Sequence, residues 1–87
     1  MIFIMRNFLE KMRHKHNFKD VIWYIPVYDY GYWLYVYRAK YCSCGKIKEK
    51  RLIYDMNFSF SETRENKIDW WEKQGAITEE EFALKYR

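Results

Sequence analysis

Glycine, histidine, cysteine and proline are all scarce in this 87-residue chain: three, two, two and one. Three glycines leave no Gly-rich loop to cradle a phosphate, and no H-E-x-x-H or similar ligand-plus-base motif accompanies the two histidines. No carboxylate pair stands apart from the charges of the C-terminal half, so an enzyme is not expected. No apolar run approaches a membrane span, because Pro26, Asp29 and Gly31 interrupt the long aromatic segment. The opening Met1-Ile2-Phe3-Ile4-Met5 is short and its charges follow rather than precede it, so no secretory signal is expected. The expected location is the cytoplasm, where two reduced thiols favour a metal over a disulfide. No internal repeat, linker or low-complexity tract divides the chain, and residues 1–87 are read as one small domain.

What the chain has in quantity is aromatic side chains. Four Trp, nine Tyr and six Phe make 22% of it. A domain this small is marginal on apolar burial unless a metal, an oligomer or unusually large side chains add to it. Large rings supply that burial, and tyrosine adds a hydroxyl that must find a partner. Such an excess means a dense core, or a core together with a face for a partner. Charge is unevenly spread: residues 1–54 hold eleven Lys/Arg against four Asp/Glu, and residues 55–87 hold five against eight. That polarity suits a partner of mixed charge, or a nucleic acid met by the first half only.

Taken in order, residues 1–13 read as an amphipathic helix, with Met5, Phe8, Leu9 and Met12 on one side. Residues 21–28 read as a strand, placed at an edge or bulged by Pro26, which has no N–H for a ladder. Asp29-Tyr30-Gly31 supplies a turn. Residues 32–42 read as the strongest strand, with Trp33, Tyr35, Tyr37, Ala39 and Tyr41 on one face. Tyr32, Leu34, Val36, Arg38, Lys40 and Cys42 take the other, and Cys44 is expected to continue that row. The chain reverses through Gly45, and residues 47–58 return as a third strand. Ser61 is expected to cap a helix over residues 62–74 with Ile68, Trp71 and Trp70 inward, stopped by Gly75. Thr78-Glu79-Glu80-Glu81 is a capping box opening a last helix anchored by Phe82 and Tyr86. The fold class is therefore α+β: a three-stranded antiparallel β-meander with an N-terminal helix and a C-terminal helical pair.

Tyr41-Cys42-Ser43-Cys44-Gly45-Lys46 holds both cysteines, and His14-Lys15-His16 holds both histidines. Two thiols and two imidazoles are one tetrahedral zinc set. On an extended strand residues i and i+2 share a face, so Cys42 and Cys44 can meet one ion. His14 and His16 can join them if the first helix ends at Arg13. Asp20, Asp55 or Glu49 could stand in for one histidine, and free thiols with a surface His-Lys-His are the plain alternative. The zinc so placed is structural, tying the first helix to the hairpin tip.

The second constellation is aromatic and basic: Tyr24, Tyr28, Trp33, Tyr35, Tyr37 and Tyr41 with Arg38, Lys40, Lys46, Lys48, Lys50 and Arg51 around them. Rings on a sheet beside cations hold single-stranded nucleic acid in many modules. The same residue types dominate protein-binding hot spots, and the acidic C-terminal half tips the expectation toward a protein partner. The segment from Trp71 to Phe82 resembles the G-x-I-T-x-E-E-F helix–turn–helix tails of small bacterial and phage proteins, which implies local structure only. In size, composition and expected metal use the chain resembles small phage-encoded anti-CRISPR inhibitors of type II effector nucleases. That resemblance implies stoichiometric inhibition in the host cytoplasm, with the protein docked on the nuclease and blocking guide or target-DNA loading. No membrane and no small-molecule substrate is expected. The rival expectation is a nucleic-acid-binding regulator that uses the basic hairpin.

Overall fold

The computed structural model describes residues 17–86. The helix expected over residues 1–13, with His14 and His16, lies outside the described residues. Strands β1 (Lys19–Tyr28) and β2 (Tyr32–Tyr41) pair antiparallel in one unbroken register, from Lys19 opposite Tyr41 to Tyr28 opposite Tyr32. Both are rich in the β-branched and aromatic residues that fit a pleated, half-buried surface. β3 (Ile47–Phe58) runs back antiparallel along β2 and slips twice. Val36 faces Tyr54 while Tyr37 faces Leu52, so Ile53 is an extra residue on β3. Glu49 and Lys50 share the span opposite Ala39, with Glu49 in the left-handed region at φ 56°. Helix α1 (Ser61–Lys73), the two-residue strand β4 (Ile77–Thr78) and helix α2 (Glu79–Tyr86) complete the described chain.

The α+β class holds, but the sheet has four strands rather than three, in the order β3-β2-β1-β4. β4 lies parallel to β1, with Trp23 beside Ile77 and Tyr24 beside Thr78. Pro26 lies past the end of β4, so β1 is internal at Trp23 and Tyr24 and an edge where it lacks a donor.

The two-residue period of the strands sorts side chains onto two faces, and each face receives its own helix. On one, Ile22, Tyr24, Leu34, Val36, Tyr54 and Phe58 pack against Ile68 and Trp71 of α1 and against Ala76. On the other, Val21, Trp23, Tyr37, Ala39, Tyr41 and Ile47 pack against Ile77 and against Phe82 and Tyr86 of α2. Leu34 and Val36 are fully buried on the α1 face, and Trp23 stacks on Phe82 on the α2 face, centroids 3.8 Å apart and planes within 9°. The middle of the sheet is thus buried on both sides by helices totalling few residues.

Helix ends follow the local chemistry. Thr78 caps α2: its hydroxyl oxygen accepts the Glu81 N–H at 3.1 Å, and its hydroxyl donates toward the Glu81 carboxylate at 3.4 Å. Gly75, at φ 98°, ends α1 in a Schellman motif. Its N–H donates to the carbonyl of Glu72 at 3.0 Å, and that of Ala76 donates to Trp71 at 3.0 Å. The expected Ser61 cap is corrected. Ser61 is the first helical residue, and Phe60 sits at the N-cap with extended backbone and no side-chain cap bond. The Phe60 carbonyl takes the Arg64 N–H at 3.3 Å, so the helix begins one residue earlier than the hydroxyl suggested. Trp70, expected inward, is 46% exposed, because the α1 stripe holding Ile68 and Trp71 leaves it on the flank.

Arg64 ties α1 to the first hairpin. Its Nη1 donates to the carbonyls of Val27 at 3.2 Å and Trp33 at 3.5 Å, residues that face each other across the β1–β2 ladder. Its guanidinium lies 5.3 Å from the centroid of the Tyr32 ring.

Candidate functional site

The aromatic and basic residues expected to form one surface are divided by the sheet. Arg38 and Lys40 belong to the row of Leu34 and Val36, so they lie on the α1 face, with Arg51 and Lys48 as their register partners on β3. Tyr35, Tyr37 and Tyr41 lie on the α2 face. Lys50 joins them there, its ammonium 5.6 Å from the Trp23 ring and 5.8 Å from that of Tyr37. Tyr41 is half-buried edge-on against Tyr86, centroids 4.3 Å apart, and like Tyr37 packs against the core of this face. Lys46 follows the turn, its carbonyl accepting the Cys42 N–H at 2.9 Å.

The cations gather at the end of the sheet where the β2–β3 turn lies. Arg38, Lys40 and Arg51 line a groove of about 320 Å³ together with Glu49. The groove is partly neutralised. Arg38 donates to Asp20 at 2.6 Å, and this hydrogen bond, with the guanidinium charge, holds the Asp20 carboxyl below its ordinary range. Lys40 lies 3.7 Å from Glu49, and the Lys48 ammonium sits 4.0 Å from the centroid of the Phe18 ring.

The opposite end, where β1 turns into β2, is aromatic and open. Tyr30 at the turn is 99% exposed and in the left-handed region at φ 51°, and Tyr28 and Phe60 are each 70% exposed. Trp33 and Tyr35 stack with planes within 5° and centroids 5.9 Å apart, and Trp33 is pinned by its Nε1 donating to the Asp29 carbonyl at 3.1 Å. Both rings are half-buried and neither belongs to the two cores: α2 lies against β1 and β4, and among the described residues no helix covers this end of the α2 face. Strands of ten residues separate this aromatic pole from the cationic one by about 30 Å. Tyr30 and Phe60 were not singled out from the sequence. A bulky ring in a turn, and another between a strand and a helix start, were the signals available.

Cys42 precedes the β2–β3 turn and Cys44 lies within it. Cys42 is buried and Cys44 exposed. The expectation that both lie on one extended strand is corrected: β2 ends at Tyr41 and Ser43-Cys44-Gly45 is a three-residue loop. Its closing bond runs from the Gly45 N–H to the Cys42 carbonyl at 2.8 Å, with Gly45 at φ 98°. A positive-φ glycine is what this loop requires, and Gly45 supplies it, as expected from the sequence. Among the described residues no group of three or more His, Cys, Asp or Glu side chains is placed to hold a metal ion. Two of the four expected ligands, His14 and His16, are outside them. Of the substitutes, Asp20 and Glu49 are engaged with Arg38 and Lys40.

A cleft of about 410 Å³ opens between β1, α1 and the start of α2, lined by Tyr24, Ile68 and the carboxylates of Glu65, Asp69, Glu72 and Glu80. The Tyr24 hydroxyl donates to Glu72 Oε2 at 3.3 Å. Burial first, and the Glu72 charge second, push the Tyr24 phenol up to about 12.

The chain matches no family model, no curated protein and no solved structure. Among the described residues no helix is long and apolar enough to cross a membrane.

Proposed function

We propose that this chain is a protein-binding module that inhibits a nucleic-acid enzyme of its host stoichiometrically, by occupation and without turnover. The pattern is that of anti-CRISPR proteins that block guide or target-DNA loading of a type II effector nuclease in the host cytoplasm. The observation that supports it is the aromatic pole. Tyr30 gains no core burial and holds a backbone conformation that costs a non-glycine residue energy. Tyr28 on the α1 face, Phe60 at the start of α1, and the Trp33–Tyr35 stack on the α2 face add, at the same end of the sheet, the rigid, amphipathic area from which protein hot spots are built. Stacking rings and several phosphate-binding cations would need a common face to hold single-stranded nucleic acid, and here Arg38, Lys40, Lys48 and Arg51 lie on the face opposite Tyr35 and Tyr37, with Lys50 alone beside those rings. Tyr35, Tyr37, Lys46 and Lys50 extend the protein-contacting surface from that pole toward the cationic end.

The test is inhibition of DNA cleavage by a purified type II effector nuclease, titrated with the protein. Inhibition should saturate near one equivalent per nuclease. Tyr30→Ser combined with Phe60→Ala, which adds no capping side chain at the α1 N-cap, should raise the inhibitory concentration about tenfold or more with the protein still folded. No inhibition by the folded wild-type protein at a large excess, across several such nucleases, overturns the reading.

A second reading, a nucleic-acid-binding regulator, is favoured by the cluster of Arg38, Lys40, Lys48 and Arg51 around one groove. It predicts binding to naked DNA or RNA with a steep salt dependence, weakened uniformly by removing any of those charges. We also propose a structural zinc on Cys42, Cys44, His14 and His16, supported by two thiols at one turn. Elemental analysis should then find about one zinc per chain. Cys42→Ser with Cys44→Ser, or chelation, should lower thermal stability.

A further inference from the structure

We propose that the outer edge of β3 is a self-association surface, pairing antiparallel with β3 of a second copy to make one continuous sheet. Among the described residues nothing pairs with that edge, since β3 is terminal in the order β3-β2-β1-β4. It is twelve residues long and exposed along most of its length, and it presents Leu52, Ile53 and Met56 at 44%, 37% and 45% exposure. Such an edge ordinarily recruits strands unselectively, and lysines and bulges are what proteins use to prevent this.

Here the same devices select a partner. A two-fold axis normal to the sheet keeps each side chain on its own face, so directly opposed residues must share a face. On an unbulged strand, an axis at Leu52 would oppose Glu49 to Asp55, two like charges. The extra residue Ile53 moves Asp55 onto the α2 face, opposite Tyr35, the face that Leu52 and Lys50 also occupy. The row along that face reads Lys50, Leu52, Asp55, in equal steps. With the axis at Leu52, the two leucines meet at the centre, and Lys50 of each copy opposes Asp55 of the other, twice by symmetry. On the α1 face the same register sets Arg51 opposite Tyr54. A strand of unrelated sequence with no acid there offers nothing to draw the Lys50 ammonium from the Trp23 and Tyr37 rings to the edge, whereas a second copy offers Asp55.

Lys50 belongs to both surfaces, but the inference is separable from the proposed inhibition because Tyr30 and Phe60 lie at the sheet end and take no part in the pairing. The experiment is light-scattering mass analysis and sedimentation velocity of the full chain over a concentration series at low salt. The wild-type protein should approach twice its 11.0 kDa chain mass. Asp55→Lys and Lys50→Asp, each of which sets like charges opposite one another, should each shift the midpoint at least about tenfold toward monomer. The double variant with both substitutions should restore the dimer. Far-UV circular dichroism of each variant checks the fold. A wild-type protein monomeric up to about 1 mM overturns the proposal. So does a dimer untouched by either single change, a folded double variant that stays monomeric, or a dimer lost on replacing Tyr30 and Phe60.

Discussion

The two faces of this sheet solve the same problem with different means. The α1 face is covered by a thirteen-residue helix, and its centre is aliphatic, Leu34 and Val36 under Ile68. The α2 face is covered by an eight-residue helix, and its centre is a stack of rings, Trp23 on Phe82 with Tyr37, Tyr41 and Tyr86 around them. A long helix buries area through many modest contacts. A helix of two turns has few positions to spend, so each must cover as much sheet as a side chain can. The aromatic excess is therefore not spread evenly over function and core; much of it compensates for the shortness of α2. The difference predicts that attachment is distributed on one face and concentrated on the other.

The largest effect should come from breaking the concentrated face. Phe82→Ala should cost about 3–5 kcal/mol. The unfolding curve should split, with α2 and β4 released before the hairpins, and it should be read by denaturant titration with both tryptophan fluorescence and far-UV signal. Ile68→Ala, the matching deletion on the α1 face, should cost about 2–4 kcal/mol and leave a single transition. Arg64 and Trp71 continue to hold that helix. Coincident loss of both helices in either variant would show that the two faces fail together.

Smaller effects sharpen the comparison where the faces meet, at Tyr24 beside β4. The Tyr24 phenol is pushed up to about 12 in the folded protein, above its ordinary value of 10.0, so the folded state holds its proton more tightly. Its contribution is complete below pH 10 and is lost as pH rises toward 12, about 2–3 kcal/mol over that window. Alkaline titration followed by tyrosinate absorbance should show this residue ionising last, and Glu72→Gln should bring that step to lower pH. Smallest of the four, Thr78→Ala should cost about 1 kcal/mol in thermal unfolding, because the Glu81 N–H loses its acceptor at the start of α2.

The strands of the first hairpin were legible because alternation over residues 21–41 is sustained and the turn signals are strong. The cap of α2 was legible for a similar reason, since hydroxyl and carboxylate spacing states the bond directly. Three features were not. β4 is two residues long and carries no period. The Ile53 bulge sits in a run where every neighbour favours strand, so nothing in composition marks the slip. Most consequential for the site, both rows of β2 are rich in large side chains, so alternation could not say that each face would carry a helix. The rings and cations near Arg38 were consequently read as one surface, although odd and even positions along the strand point to opposite sides.

Strand β4 has one further consequence, for the order of assembly. The β1–β2 pairing closes through a three-residue turn, whereas Trp23 and Ile77 are about fifty residues apart along the chain. Chain-closure entropy makes the second contact the slower to reward, so β1 to β3 can zip together before Ile77 arrives. Trp23 then waits with its outer face uncovered until Phe82 slides over it. The change in its fluorescence as it is covered reports that final step, and the same contact is where a folded molecule would first let go.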